Sequence, residues 1–68
     1  MAKVAKVIEI VGSSEKSWED AVDIAVKEAA QTLHGISGVD VVKWTAKVKD
    51  GKITQYKATV KVAFGVES

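Results

Sequence analysis

The sequence contains no cysteine, and all ten of its basic residues are lysine. The missing cysteine excludes disulfide bonds and thiolate metal sites. The missing arginine and the net charge of only +1 argue against nucleic-acid recognition, which usually relies on arginine and on a clear basic excess. No apolar run is long enough to cross a bilayer, and charges interrupt the apolar residues near the start. We therefore expect no membrane segment, no secretory signal and a cytoplasmic location.

Side chains that carry catalysis are also scarce. His34 is the only histidine, and its predicted position at a helix C-terminus favours a structural role as a charged imidazolium. Ser13, Ser14 and Ser17 fit turn and cap positions, and no base stands near them in the sequence to activate a hydroxyl. The spacings of a phosphate-binding glycine loop, an EF-hand or a zinc site do not occur. The sequence therefore predicts that the protein is not an enzyme.

The chain has the composition of a small globular domain, with 47% hydrophobic and 28% charged residues. We interpret residues 1–68 as a single domain. A chain of 68 residues buries little surface when it folds alone, and domains of this size often gain stability from disulfides, metals or oligomerisation. Because no cysteine is available, we expect a homo-oligomer, with neither a membrane nor a nucleic acid as partner.

Segments rich in β-branched residues predict three strands, and a segment with helical spacing of its apolar residues predicts one helix. The first strand covers residues 4–11 and ends at the turn that Gly12 begins. Two longer strands cover residues 39–49 and 52–66, and the helix lies between the first and second strands. The predicted fold is α+β in the order β-α-β-β. One helix packs on one face of a three-stranded antiparallel sheet, which has the third and longest strand at its centre.

The helix has a start signal and an end signal in the sequence. Ser17 is the predicted N-cap, and Asp20 completes a relative of the capping box. Gly35 fits the left-handed position that follows a helix, which ends the helix at His34. At helical spacing, one apolar stripe contains Trp18, Val22, Ala25, Val26, Ala29 and Leu33. We expect this stripe to cover the sheet face that carries alternate residues of 56–64.

The register of the hairpin between the last two strands decides which side chains face away from the helix. Asp50 and Gly51 are typical of a two-residue type I′ turn. A regular hairpin from that turn places Trp44 opposite Lys57 on the face away from the helix. This predicted outward face contains Asp40, Val42, Trp44, Ala46 and Val48 together with Gln55, Lys57, Thr59 and Lys61. A half-apolar face beside a long edge strand needs cover from a second subunit or from a ligand.

Trp44 and Lys57 are the most informative pair on the predicted outward face. One interpretation is a cation–π contact packed in a subunit interface. Another is a stacking platform for a small planar ligand, with Lys57 meeting an anionic group. A third concerns calcium, because Glu15 near the first turn and Asp40 on the outward face carry the oxygen ligands that it prefers. One small chain needs symmetry-related copies to complete such a site, and ordinary helix-dipole partnership is the competing role for Glu15.

Three segments of the chain resemble the dodecin family. They are residues 7–14, 17–19 and 56–64, whose sequences read VIEIVGSS, SWE and YKATVKVAF. Dodecins are small flavin-binding proteins that assemble as hollow dodecamers with cubic symmetry. Their ligand pockets lie at two-fold axes and are lined by the sheet face away from the helix. The resemblance therefore implies a homododecameric binding or storage protein without catalytic activity.

Two positions depart from the flavin-binding members of that family. Gly38 stands where a tryptophan stacks on the flavin ring, and Lys57 stands where a glutamine hydrogen-bonds it. Ser17 and Trp18 resemble the calcium dodecin (SecE2-like) subgroup, which lacks that tryptophan. The resemblance implies weak or absent flavin binding, with a riboflavin- or FMN-binding storage dodecin and a calcium-binding structural assembly as alternatives. The candidate cofactor-binding residues are Gly38, Asp40, Val42, Trp44, Gln55 and Lys57, and the candidate metal ligands are Glu15 and Asp40.

Overall fold

The computed structural model describes residues 4–66. Its elements are β1 (Val4–Ser14), α1 (Trp18–Ala30), β2 (Ile36–Lys49) and β3 (Lys52–Val66). The three strands form one antiparallel sheet in the order β1-β3-β2, with α1 against one face. The predicted β-α-β-β order, the central third strand and the single packed helix are confirmed. Both β1 and β2 are longer than predicted.

A hydrogen-bonded loop joins β1 to α1. The Ser17 hydroxyl accepts from the backbone N–H of Asp20 at 3.0 Å, which confirms Ser17 as the N-cap. Ser14 is buried, donates from Oγ to Oδ2 of Asp20 at 2.6 Å and accepts from the backbone N–H of Lys16 at 2.9 Å. Ser14 and Ser17 thus hold the start of the helix against the end of β1, as turn and cap residues.

The end of the helix differs from the prediction. The regular helix stops at Ala30 and is followed by one hydrogen-bonded turn, in which the backbone N–H groups of Thr32 and Leu33 both donate to the carbonyl of Ala29. Gly35 has the expected positive φ of 72°, but it begins the approach to β2 instead of capping the helix. Its carbonyl accepts from the backbone N–H of Gly65 at 3.0 Å. The apolar residues after the helix therefore belong to a connection that β3 anchors.

The core is built from small side chains. Its buried members are Ala21 and Ala25 of α1 and Ala58, Val60 and Val62 of β3. Ala21 was missing from the predicted stripe but is fully buried. Gly12 of β1 lies directly under the helix, where a Cβ atom would come within 2.1 Å of the Ala21 carbonyl oxygen. The alanines and Gly12 thus permit a close approach of helix and strand that larger side chains would prevent.

The hairpin turn agrees with the prediction, but the strands that leave it do not. Asp50 and Gly51 have φ values of 53° and 76°, which are those of a type I′ turn. Beyond the turn, the pairing of β2 with β3 shifts three times: at an extra residue of β3, Thr54, beside Lys47 and Val48, and at extra residues of β2 between Val41 and Lys43 and between Ile36 and Gly38. Each shift is a β-bulge, which reverses the face of the residues that follow it.

Between two of the bulges, residues 44–47 each lie on the face of the sheet opposite to the one predicted. Trp44 pairs with Ala58 instead of Lys57, and Ala46 pairs with Tyr56. Paired residues point to the same side of a sheet, so Trp44 and Ala46 lie on the side that faces the helix. We call the opposite side the open face. It consists of Val7, Glu9, Val11 and Ser13 of β1, Gly38, Asp40, Lys43, Thr45 and Lys47 of β2, and Gln55, Lys57, Thr59, Lys61 and Ala63 of β3.

Candidate functional site

Three aromatic side chains meet on the helix side of the sheet. The ring of Trp18 lies edge-on to those of Tyr56 and Trp44, with centroids 4.8 and 6.4 Å away. The indole Nε1 of Trp18 donates to the carbonyl oxygen of Thr45 at 2.8 Å. This aromatic cluster (Trp18, Trp44 and Tyr56) ties the start of the helix to the middle of β2. The predicted cation–π pair of Trp44 with Lys57 is wrong, because the two side chains lie on opposite faces of the sheet.

Part of the hairpin is left without cover by the helix. The helix packs mainly on β1 and β3, so the helix side of β2 stays accessible. We call the exposed part the apolar hairpin surface; it consists of Val39, Trp44, Val48 and Ile53, which are 43%, 51%, 65% and 46% exposed. The sequence correctly predicted that β2 is an edge strand. The apolar surface beside that edge lies on the face opposite to the one predicted.

A second uncovered area is an open groove of about 630 Å³ between α1 and β1. Its lining includes Ile8, Ile10 and the half-exposed Ile24. Glu28 of α1 and Thr32, just after the helix, contribute polar atoms. The helix thus has accessible apolar surface on both flanks. In each case the surface is broad and shallow, which suits contact with another protein surface better than enclosure of a small molecule.

The open face carries most of the polar groups of the sheet in regular rows. Lys57 lies between Ser13 and Thr45, and Gln55 lies beside Lys47. The next two rows along the sheet are Val11, Thr59 and Lys43, and then Glu9, Lys61 and Asp40. The acidic residues of this face therefore collect around Lys61, whereas the rows near the hairpin turn contain lysines and hydroxyl groups.

The structure divides the six predicted cofactor-binding residues among three places. Gln55 and Lys57 are neighbours on the open face, and Asp40 and Gly38 lie on the same face but farther from the turn. Trp44 belongs to the aromatic cluster on the other side of the sheet, and the half-exposed Val42 is the extra residue of a bulge. Lys43, Thr45 and Lys47 stand on the open face where Val42 and Trp44 were predicted. The sequence contains no turn residue that would mark the bulge at Val42.

The two predicted metal ligands are far apart within one chain. Ser14, just before Glu15, pairs with Tyr56, whereas Asp40 pairs with Lys61. These β3 positions are separated by roughly 17 Å at the usual rise of a strand. Among residues 4–66 no three His, Asp or Glu side chains gather as they would around a metal ion. A shared site for Glu15 and Asp40 would therefore need ligands from more than one copy of the chain.

Residues 4–67 match the family model of Dodecin. A curated relative, dodecin from Thermus thermophilus, is 30% identical over 67 residues, which is 98% of this chain and 97% of the relative. The structure of dodecin from Streptomyces coelicolor superposes with a TM-score of 0.93 at 29% identity, covering 97% of this chain and 94% of the other. The calcium dodecin of Mycobacterium tuberculosis, a calcium-chelating antigen, superposes with a TM-score of 0.82 at 35% identity, covering 94% and 91%.

Proposed function

This chain belongs to the dodecin family, and we propose that it is a non-catalytic binding or storage protein that acts as a homo-oligomer in the cytoplasm. The family resemblance favours a hollow dodecamer. The observation that carries the proposal is the apolar hairpin surface beside the unpaired edge of β2. An edge strand of 14 residues with half-exposed Val39 and Trp44 next to it would associate with other chains unless a partner covers it.

The weakness of the core supports the same proposal. Val60 and Val62 are the largest fully buried side chains among the described residues, and the helix contributes only alanines to the buried set. Burial of small side chains supplies little of the hydrophobic free energy that must offset chain entropy. Covering the apolar hairpin surface and the groove beside β1 would add the missing burial. Oligomerisation thus stabilises the fold as well as the edge.

The oligomer can be measured directly. Light scattering coupled to size-exclusion chromatography gives the mass in solution, and native mass spectrometry gives the number of subunits and any retained small molecule. We expect one discrete assembly of twelve subunits, by the family resemblance, at micromolar concentration and below. A stable monomer at micromolar concentration would contradict the proposal, and a discrete assembly of another size would contradict the dodecamer alone.

We further propose that flavin binds weakly or not at all. Gly38 offers no ring, and no aromatic side chain stands among the open-face residues of the described chain. A planar ring stacked on an aromatic side chain gains about 1–3 kcal/mol, by analogy with bases on protein platforms. The ammonium of Lys57 donates hydrogen bonds but cannot accept one from a flavin N–H, whereas a glutamine oxygen can. Titration with riboflavin and FMN, followed by flavin fluorescence, tests this; strong quenching at stoichiometric protein would refute it.

Calcium binding is the second candidate function. The supporting observation is the 35% identity to a calcium dodecin over 94% of this chain. Because Glu15 and Asp40 lie far apart in one subunit, we propose that calcium would bind between copies. Calorimetric titration of the calcium-free assembly tests this, with the Glu15→Gln and Asp40→Asn variants as probes of the site. Unchanged calcium affinity in both variants would remove these two residues from the proposal.

A further inference from the structure

The bulge at Val42 gathers three lysines around one hydroxyl group. Lys43 and Lys47 stand two positions before and after Thr45 on the open face of β2, and Lys57 of β3 pairs directly with Thr45. We call these three lysines the lysine patch. Directly paired Cβ atoms in a sheet are about 5 Å apart and diagonal neighbours about 7–8 Å, so flexible lysine side chains from these positions can converge on one small ligand.

Hydroxyl and amide groups complete the surroundings of the lysine patch. Ser13 pairs with Lys57 from the other side, Thr59 pairs with Lys43, and Gln55 pairs with Lys47. Ser13, Thr59, Gln55 and Lys57 are all partly buried, so their side chains have fewer conformations to lose when a ligand binds. The patch therefore combines three positive charges with neutral hydrogen-bond donors on a flat, regular support.

The lysine patch also lacks acidic partners in its own rows. The carboxylates of the open face, Glu9 and Asp40, both pair with Lys61 in the row beyond. Lys57 is a diagonal neighbour of both Lys43 and Lys47, about 7–8 Å away, so the three positive charges repel one another. The bulge turns Lys43 and Lys47 to the face that carries Lys57 without a matching carboxylate, and this creates a local cost that a bound anion would remove. Bulges that redirect side chains are common beside functional sites.

We propose that the lysine patch binds the phosphate group of a small phosphorylated molecule. The proposal deepens the proposed binding function by naming a ligand class, and it does not depend on the number of subunits. Lysine ammonium groups bind phosphate as point charges, and hydroxyl donors add directed bonds to the remaining oxygens. The patch from Lys43 to Lys47 is only about 14 Å long, and its face has no aromatic platform for bases. A compact phosphate ester therefore fits it better than a nucleic acid strand does.

The experiment uses the intact assembly at low ionic strength, with inorganic pyrophosphate as the probe in calorimetric titration. The Lys43→Gln, Lys47→Gln and Lys57→Gln variants each remove one patch charge, and Lys52→Gln at the hairpin turn removes an equal charge elsewhere. We expect each patch variant to bind about tenfold more weakly, as for loss of one charge-assisted hydrogen bond, and the control to bind like the original chain. Circular dichroism and mass confirm that each variant keeps its fold and assembly.

Several outcomes would overturn the proposal. They are no binding of pyrophosphate, equal weakening in Lys52→Gln, equal binding of citrate, and tighter binding of a short oligonucleotide than of pyrophosphate. Thermal unfolding gives an independent reading: without anion, Lys57→Gln should be at least as stable as the original chain, and it should lose most of the stabilisation by pyrophosphate. Lost pyrophosphate binding in an intact oligomer would refute only the ligand class. A monomer that binds pyrophosphate would refute only the proposed assembly.

Discussion

The two faces of the sheet use the same three strands for different purposes. On the helix side, Trp44 and Tyr56 pack with Trp18, and the buried Val60 and Val62 follow along β3. On the open face, β3 presents lysines and threonine at the alternate positions. One side therefore supplies burial and apolar contact surface, and the other supplies charge and hydrogen-bond donors. We therefore expect substitutions on the two faces to have separable effects, on stability and apolar association for the helix side and on charge-dependent binding for the open face.

Two extra residues, Thr54 of β3 and Val42 of β2, bracket the segment of the hairpin whose register is shifted and so maintain the division between the faces. The bulge at Val42 sends Trp44 to the helix side and Lys43 and Thr45 to the open face. Without it, the tryptophan would stand beside Lys57 and the lysines would point at the helix, because a one-residue slip reverses every side chain beyond it. The Trp18 hydrogen bond to the Thr45 carbonyl and the aromatic cluster hold the shifted register in place.

The largest expected effect concerns the close contact of helix and sheet. Replacing Gly12 with alanine puts a Cβ atom 2.1 Å from the Ala21 carbonyl oxygen and 2.9 Å from the Ala25 Cβ, so the helix must move away. We expect the free energy of unfolding to fall by about 3 kcal/mol, at the upper end of overpacking changes. Gly38→Ala is the matched control, since nothing lies within 4 Å of its added Cβ. Urea unfolding followed by circular dichroism gives both values; equal losses would contradict the packing described.

The next effect tests the open face as a ligand surface. Changing Gly38 to tryptophan together with Lys57 to glutamine restores both contacts that the family resemblance assigns to flavin. Trp44 lies on the opposite face, so it leaves space for the new ring. We expect riboflavin affinity to rise at least about a hundredfold, from two contacts each contributing roughly a factor of ten. Fluorescence titration measures it, with Gly38→Trp alone as control; unchanged affinity in the double variant would place the flavin position elsewhere.

The sequence alone predicts the features of this molecule that have a local chemical signal. The Asp50-Gly51 turn and the Ser17 cap carry their own local chemistry and were predicted correctly. The bulge has no such signal, because Val41 and Val42 are both β-branched and either of them suits either face. The open-face positions of Lys43 and Lys47 follow from the bulge, so they could not be predicted. The roles of the predicted cofactor and metal residues remain predictions.

The packing of the helix could also be predicted only in part, because it depends on contacts with other elements. Ala21 was left out of the predicted stripe because alanine adds little to a hydrophobic pattern, yet it is the most buried residue of the helix. Its position is decided by Gly12 on another element, and periodicity within the helix contains no trace of that contact. Leu33 extended the predicted helix for the opposite reason: it continues the apolar spacing, although the regular helix ends at Ala30.

A smaller effect distinguishes which face the assembly covers. Replacing Trp44 with alanine removes the largest side chain of the apolar hairpin surface, and we expect the assembly to weaken by about 2 kcal/mol per contact while helix content remains. Val11→Ala is the control, because Val11 is 60% exposed on the open face. Dilution followed by light scattering measures dissociation. If Val11→Ala dissociates the assembly and Trp44→Ala does not, the subunits meet through the open face instead.

The smallest expected effect asks whether the turn or the bulge sets the faces. A Cβ at Gly51 meets nothing within 4 Å, so Gly51→Val acts only through its positive φ of 76°, which a β-branched residue adopts poorly. We expect a loss of about 1–2 kcal/mol in the free energy of unfolding, with little change at the aromatic cluster. One bulge, at Thr54 of β3, lies between the turn and Trp44, and the Trp18 bond to Thr45 holds the register beyond it. Tryptophan emission and its quenching by acrylamide report on Trp18 and Trp44, and urea unfolding reports the stability, with Asp50→Asn as a control that tolerates the same backbone.

Unchanged stability would indicate a longer loop in place of the type I′ turn. A shifted emission maximum in the folded variant would show that the turn, and not the bulge, decides which face carries Trp44.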